Sequence, residues 1–303
     1  MNTQHKTVAV LGAGSWGTAL AIHLARAGLN VRLWGNLPEH IALLQQQRCN
    51  RQYLPDVAFP EALELYSSLE DTLSGDPLLV LIVIPSHAYR SFLHSSSTLF
   101  TPSMSIAWAS KGLEEGTGKL LHQVINEEIP QCDRLAVISG PTFAREVACD
   151  LPTAITVASD NEEVANEWRD CLHNGYFRAY TSNDIKGVEL GGALKNPLAI
   201  AAGIADGLGF GANTRAALIT RGLAEIMRLG HAMGAQAETF MGLAGLGDLV
   251  LTCTDNQSRN RRMGLALAAG KSVDEAQEEI QQVVEGVLAA AAVHEVAEKL
   301  GIE

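Results

Sequence analysis

Four polar side chains set in apolar or glycine-rich surroundings carry the chemistry this chain is equipped to do. Lys195 stands in Glu189-Leu190-Gly191-Gly192-Ala193-Leu194-Lys195-Asn196, with glycines four and three residues before it, on or near its own face of a helix. The missing β-carbons would leave room for a ligand beside the amine; the segment alone fits equally a lysine that snorkels to water from a packed helix. Lys111 follows the apolar run Ser105 to Ala109, and Thr142 follows Leu135 to Ile138, so both stand where a buried strand gives way to a loop. Asp248 closes Phe240-Met241-Gly242-Leu243-Ala244-Gly245-Leu246-Gly247-Asp248, as a site carboxylate or as a helix cap.

Two further stretches are built to hold anions. Gly12-Ala13-Gly14-Ser15-Trp16-Gly17 follows the β-rich run Lys6 to Leu11 and opens a helical pattern that closes at Gly28, ahead of a second strand, Asn30 to Trp34. Strand, glycine turn and helix in that order make a dinucleotide site, because Gly12, Gly14 and Gly17 allow close backbone approach and the helix N-terminus offers unpaired N–H groups to a pyrophosphate. An NAD-selective site usually has Asp or Glu about 20 residues after the glycines. Here Gly35 and Asn36 stand there. With neither a carboxylate to repel a 2′-phosphate nor an arginine to grip it, either NAD or NADP is accommodated. Downstream, Asn256-Gln257-Ser258-Arg259-Asn260-Arg261-Arg262 precedes the helical run Met263 to Ala269 and reads as an oxyanion cradle suited to a small phosphate.

The elements that position these groups fall into two halves. Strand and helix alternate through Leu78 to Ile84, a helix from about Ser86, Ala154 to Ala158, a helix from Asn161 to His173, and Phe177 to Thr181. After Asp184 strand patterns largely vanish. The expected architecture is an α/β Rossmann-like dinucleotide-binding domain, residues 1–184, followed by an all-α substrate-binding domain, residues 185–303. In the second half a helix from Ile185 to Ala202 is expected to break near Asn196-Pro197, since proline removes a hydrogen bond. A loop from Gly203 to Gly211 follows, then a helix to Gly230 capped by Asn213 or Thr214.

Composition limits the alternatives. With 303 residues, 47 % hydrophobic and 18 % charged, the chain has the profile of an ordinary globular protein of about two domains. A net charge of −12 disfavours nucleic acid as a partner. Five scattered cysteines without a Cys-x-x-Cys pair fit a reducing cytoplasm, and the histidines show no metal-ligand spacing. No signal-peptide pattern and no apolar run long enough to span a bilayer is present.

The whole set, from Gly12-Ala13-Gly14-Ser15-Trp16-Gly17-Thr18 through Ser110-Lys111-Gly112-Leu113, Ser139 to Ala144, Glu189 to Pro197, Gly242 to Thr254, Asn256 to Gly264 and Val284-Glu285-Gly286, closely resembles the bacterial type of NAD(P)-dependent glycerol-3-phosphate dehydrogenase over almost the whole chain. That resemblance implies that Ser15, Trp16, Ala144, Arg259, Val283 and Glu285 contact the nucleotide; Asn36 and Lys111, each just beyond a strand end, are placed to face it as well. It implies that Lys111, Gly140, Thr142, Lys195, Asp248, Ser258, Arg259 and Asn260 surround the substrate, a small phosphorylated three-carbon compound. Lys195 would then transfer the proton, with Lys111 and Asp248 beside it. The sequence departs from the family at Gly35 and Asn36, where arginine or histidine is usual. It also stops at Glu303 directly after a helix where members usually continue, so further C-terminal residues are expected.

Proton transfer requires the lysine's pKa to fall from about 10.4 towards neutrality. Burial and Lys111 would lower it and Asp248 would oppose them. Another two-domain NAD(P)-dependent oxidoreductase, acting on a hydroxy acid or keto acid, would also use a helix-borne lysine but would not need the phosphate cradle. A regulatory module that only binds cofactor would have no reason to keep Lys111, Lys195 and Asp248 together. A homodimer is expected from the helical half.

Overall fold

The computed structural model describes residues 6–75, 78–281 and 284–302. Ten strands run Thr7–Leu11 (β1), Asn30–Trp34 (β2), Cys49–Asn50 (β3), Leu54–Ala58 (β4), Leu63–Tyr66 (β5), Leu78–Ile82 (β6), Ser105–Trp108 (β7), Leu135–Ser139 (β8), Thr153–Ala158 (β9) and Phe177–Ser182 (β10). Eight of them form one sheet in the order β10-β9-β8-β7-β6-β1-β2-β5, while β3 and β4 pair as a separate hairpin. The helices among them are Ser15–Arg26 (α1), Pro38–Gln47 (α2), Leu69–Leu73 (α3), Ser86–Ser96 (α4), Leu121–Glu128 (α5), Ala144–Ala148 (α6) and Glu162–Leu172 (α7).

β7 and β8 are buried along their whole length and β1 from Val8 onward, as expected of central strands covered on both faces. The sheet is parallel except where β9 pairs antiparallel with β8. The link between them contains only the five-residue α6. So short a helix does not carry the chain back along the sheet for a parallel crossover. Between β1 and β6 the connection direction reverses, and there an open α/β sheet splits to leave a crevice beyond the strand ends.

The second half contains Ile185–Gly207 (α8), Ala212–Ala232 (α9), Ala237–Met241 (α10), a π-helical turn at Leu243–Gly247, Asp248–Thr254 (α11), Arg259–Ala268 (α12), Val273–Ile280 (α13) and Glu285–Lys299 (α14). Three sequence expectations fail here. α8 does not stop at Pro197 but continues through it to Gly207, which shortens the expected glycine-rich loop to residues 208–211. From Val188 to Asn196 every residue of α8 is buried. Burial on all faces outweighs the roughly 3 kcal/mol that an interior proline costs a helix. The N-cap of α9 is Gly211 with no side-chain cap, so neither Asn213 nor Thr214 serves there.

Candidate active site

The glycine turn after β1 is shaped by sterics. Gly12 has φ +126°, and a β-carbon there would lie 2.2 Å from the Val83 carbonyl oxygen. Only glycine takes that backbone against β6 without strain. α1 starts from Gly14 with no side-chain cap and no acidic residue in its first turn. Its N–H groups and dipole are thus left for an anion. The β3–β4 hairpin is fastened over this turn by buried Asn50, whose Nδ2 donates to the Ala13 carbonyl at 3.0 Å and to Thr18 Oγ1 at 2.9 Å. A cleft of about 1070 Å³ runs from this turn to α8 and α12. Gly12, Gly14, Ser15, Trp16, Gly17 and Asn36 line its first-half end, and Trp16 Nε1 is buried there without a protein partner.

At the other end the lysines meet one carboxylate. Lys195 Nζ donates to Asp248 Oδ1 at 2.5 Å and to Thr252 Oγ1 at 2.9 Å. Lys111 Nζ donates to Asp248 Oδ2 at 2.7 Å and to the Gly140 carbonyl at 3.3 Å. The Thr252 hydroxyl spends its own proton on the Asp248 carbonyl at 2.6 Å, which turns its lone pairs towards the ammonium. Two of the three Lys195 N–H groups are thereby fixed, and the third is left for the cleft, which both Lys195 and Thr252 line. Asp248 is 1 % exposed and sits behind the lysines; it is the first residue of α11, whose N-cap is Gly247.

Burial pulls the Lys195 amine down to about 8, against the opposing pull of Asp248 and with help from Lys111. For Asp248 burial works to raise the carboxyl, but the two ammonium groups win and hold it below the usual carboxylate range. One carboxylate shared by a buried and a half-buried ammonium leaves a local excess of positive charge facing an anionic ligand.

Rigid supports hold the two lysines in register. Buried Glu189, on α8, accepts from Trp108 Nε1 at 3.0 Å and from the His122 backbone N–H at 2.9 Å, and pairs with His122 Nδ1 at 2.5 Å. That ties β7, which leads to Lys111, against the helix that bears Lys195. The two glycines before Lys195 do not make room for a ligand as their spacing suggested. A β-carbon on Gly191 would come 2.3 Å from the Ala244 carbonyl, and one on Gly192 would lie 3.0 Å from Ser139 Oγ and 3.5 Å from Lys111 Cδ. The space they vacate is taken by the π-helical turn and by the stem of Lys111.

The second anion cradle also divides. Ser258, Arg259 and Asn260 line the cleft. Ser258 Oγ caps α12 by accepting from the Arg261 N–H at 3.1 Å, leaving its own proton to donate. Asn260 Nδ2 donates to Asn196 Oδ1 at 3.0 Å and its Oδ1 accepts from the Gly286 N–H at 2.9 Å. Arg261 turns away to Asp206 at 2.6 Å, whereas Arg262 joins Arg259 in the cleft wall. Ala144 and Thr142 line the cleft, while Gly140 contributes only its carbonyl to Lys111 and Thr142. Glu285 lines it too; burial raises its carboxyl although Arg259, Lys111 and Lys195 pull the other way. Val283 lies outside the described residues. Sequence reasoning missed Thr252, although it stands four residues after Asp248 and so on the same helix face.

The residue pattern has counterparts in known proteins. The family model described as NAD-dependent glycerol-3-phosphate dehydrogenase N-terminus matches residues 7–165, and that for the C-terminus matches residues 184–303. The glycerol-3-phosphate dehydrogenase [NAD(P)+] of Aeromonas salmonicida is 55 % identical over 297 residues, 98 % of this chain and 89 % of the relative. A solved glycerol-3-phosphate dehydrogenase from Coxiella burnetii is 50 % identical with a TM-score of 0.95, covering 99 % of this chain and 91 % of that one. The yeast enzyme GPD1 is 27 % identical with a TM-score of 0.83, covering 98 % of this chain and 91 % of that one.

Proposed function

The chain belongs to the NAD-dependent glycerol-3-phosphate dehydrogenase family, and from that membership we propose the roles its residues play in a reversible reduction of dihydroxyacetone phosphate to sn-glycerol 3-phosphate, a precursor for phospholipid synthesis. The observation that carries the reading is the Lys195–Asp248–Lys111 cluster at one end of a cleft whose other end is a dinucleotide turn.

The dinucleotide fits the residues present. The uncapped start of α1 and the orphaned Trp16 Nε1 supply donors for it. Gly12, Gly14, Ser15 and Gly17 would hold the pyrophosphate, Asn36 the adenosine ribose, and Trp16, Lys111, Ala144, Arg259 and Glu285 the remaining contacts, with Val283 two residues before Glu285 in sequence. When bound, NADH or NADPH supplies the hydride that goes to the substrate C2 carbonyl carbon. As negative charge grows on the carbonyl oxygen, the free N–H of Lys195 gives it a proton. In the reverse direction neutral Lys195 takes the proton from the C2 hydroxyl. Lys111 stabilises the developing oxyanion, and Asp248 holds both lysines at fixed geometry, the preorganisation on which electrostatic catalysis depends. Ser258, Arg259 and Asn260 grip the phosphate, so binding energy remote from the reacting carbon orients it. Thr142 completes the substrate wall, and the Gly140 carbonyl, which accepts from both Lys111 and Thr142, holds those two side chains against the substrate.

This assignment makes residues 1–184 the dinucleotide half and residues 185–303 the substrate half. No helix among the described residues is long and apolar enough to cross a membrane. The unpaired cysteines support a cytoplasmic setting. Exposed Leu208 and Phe210 support a homodimer, which sedimentation velocity tests. For the activity, purified protein is expected to oxidise NADH or NADPH only when dihydroxyacetone phosphate is added. Absence of that dependence, or equal rates with a 2-keto acid lacking phosphate, contradicts the assignment.

A further inference from the structure

One imidazole nitrogen at the adenosine end of the cleft has no hydrogen-bond partner. β2 ends at Trp34, and the next position is sterically closed: a β-carbon on Gly35 would lie 2.9 Å from Ile41 Cδ1 and 3.1 Å from Ala13 Cβ. No carboxylate stands there to receive a ribose 2′-hydroxyl, and the arginines flanking the strand are engaged elsewhere. Arg32 Nη1 donates to the carbonyls of Thr72 at 3.2 Å and Ser74 at 2.5 Å. Arg48 donates to the carbonyls of Leu63 at 2.9 Å and Pro60 at 2.7 Å. His40, in the first turn of α2, lines the cleft with Asn36 and Tyr53. Its ring stands edge-on to Tyr53 with centroids 5.5 Å apart, and its Nε2 is out of water with nothing to bond. A buried donor in that state is costly unless a ligand completes it. α2 opens from Leu37 without a side-chain cap, but unlike α1 it carries an acidic residue, Glu39, in its first turn, so recognition of an anion there falls to the imidazole and not to the helix start.

We propose that His40 grips the 2′-phosphate of NADP(H), with Asn36 at the strand tip beside it, and that this imidazole sets the choice between NADPH and NADH. The proposal rests on the placement of the adenosine beyond β2 given above. Nε2–H donates to a phosphate oxygen from either the matching neutral tautomer or the imidazolium. A 2′-hydroxyl is too short to replace that contact, so discrimination comes from a phosphate-specific bond instead of a repelling carboxylate.

Titration calorimetry with 2′,5′-ADP and 5′-AMP, which differ only in the 2′-phosphate, reads this without turnover. The wild-type protein is expected to bind 2′,5′-ADP more tightly than 5′-AMP. His40→Ala lowers that affinity ratio about tenfold or more, and His40→Arg keeps or raises it. The (kcat/KM) ratio of NADPH to NADH moves the same way in each variant. A wild-type ratio near one, or a ratio unmoved by His40→Ala, overturns the proposal. Failure of the enzymatic assignment is separate: it appears as no cofactor oxidation with dihydroxyacetone phosphate by wild-type protein, whatever the two mononucleotides do.

Discussion

The two ends of the cleft handle charge in opposite ways. At the glycine turn the cationic character comes from backbone N–H groups of α1, with no ionised side chain in its first turn or at its cap. At the lysine end it comes from two ammonium groups that share one buried carboxylate. The first kind of site survives most side-chain changes and is lost when a β-carbon intrudes. The second tolerates backbone change poorly too, but its function hangs on single atoms. A cofactor that must bind and leave intact is matched to the former, and a group that must gain and lose a proton to the latter.

Substitutions at the two ends should therefore separate chemistry from binding. The largest effect is expected for Lys195→Ala, which removes the proton donor and lowers kcat by roughly 10² to 10⁴. Nucleotide affinity, followed by tryptophan fluorescence, should change far less than turnover. A loss confined to nucleotide binding would erase the distinction. Gly12→Ala should show the reverse pattern. Its β-carbon meets the Val83 carbonyl and its φ suits glycine alone, so destabilisation on the order of 1–3 kcal/mol is expected as a lower Tm, together with weaker nucleotide binding. A Gly12→Ala protein with wild-type Tm and nucleotide affinity would show that the turn does not need glycine.

The same contrast explains what could be read from the chain before its fold was known. The dinucleotide turn is contiguous: Gly12 to Gly17, the strand before and the helix after all lie within about one βαβ unit, so spacing reveals it. The lysine cluster is assembled from the end of β7 and from α8 and α11, and no spacing connects Lys111 and Lys195 with each other or with Asp248; only Thr252 follows Asp248 at helical spacing. The residue types were visible, yet the shared carboxylate was not. Gly191 and Gly192 were misread for the same reason, because helical spacing says which side of a helix is bare and not what fills the bare side. Pro197 misled because local propensity counts a lost hydrogen bond while tertiary burial of α8 decides the outcome. The antiparallel step at β9 was hidden by a strand pattern that carries no direction. The His40 site was missed because α2's first turn has no motif, only a side chain left without a partner.

The smaller and most diagnostic effect is a shift along the pH axis. With its amine lowered to about 8, Lys195 is an ammonium below that pH and a neutral amine above it. Reduction of dihydroxyacetone phosphate needs the proton, so its rate should hold below pH 8 and fall above. Oxidation of glycerol 3-phosphate needs the neutral amine and should rise through the same pH. Asp248 works to raise the Lys195 pKa. Asp248→Asn removes that pull and should carry both limbs to lower pH, beyond any loss of stability. The decisive measurement is kcat against pH in both directions for wild type and Asp248→Asn. Opposed limbs crossing near pH 8 and moving together to lower pH in the variant are predicted; limbs that run in the same direction, or that stay in place when Asp248 is neutral, would contradict Lys195 as the proton carrier.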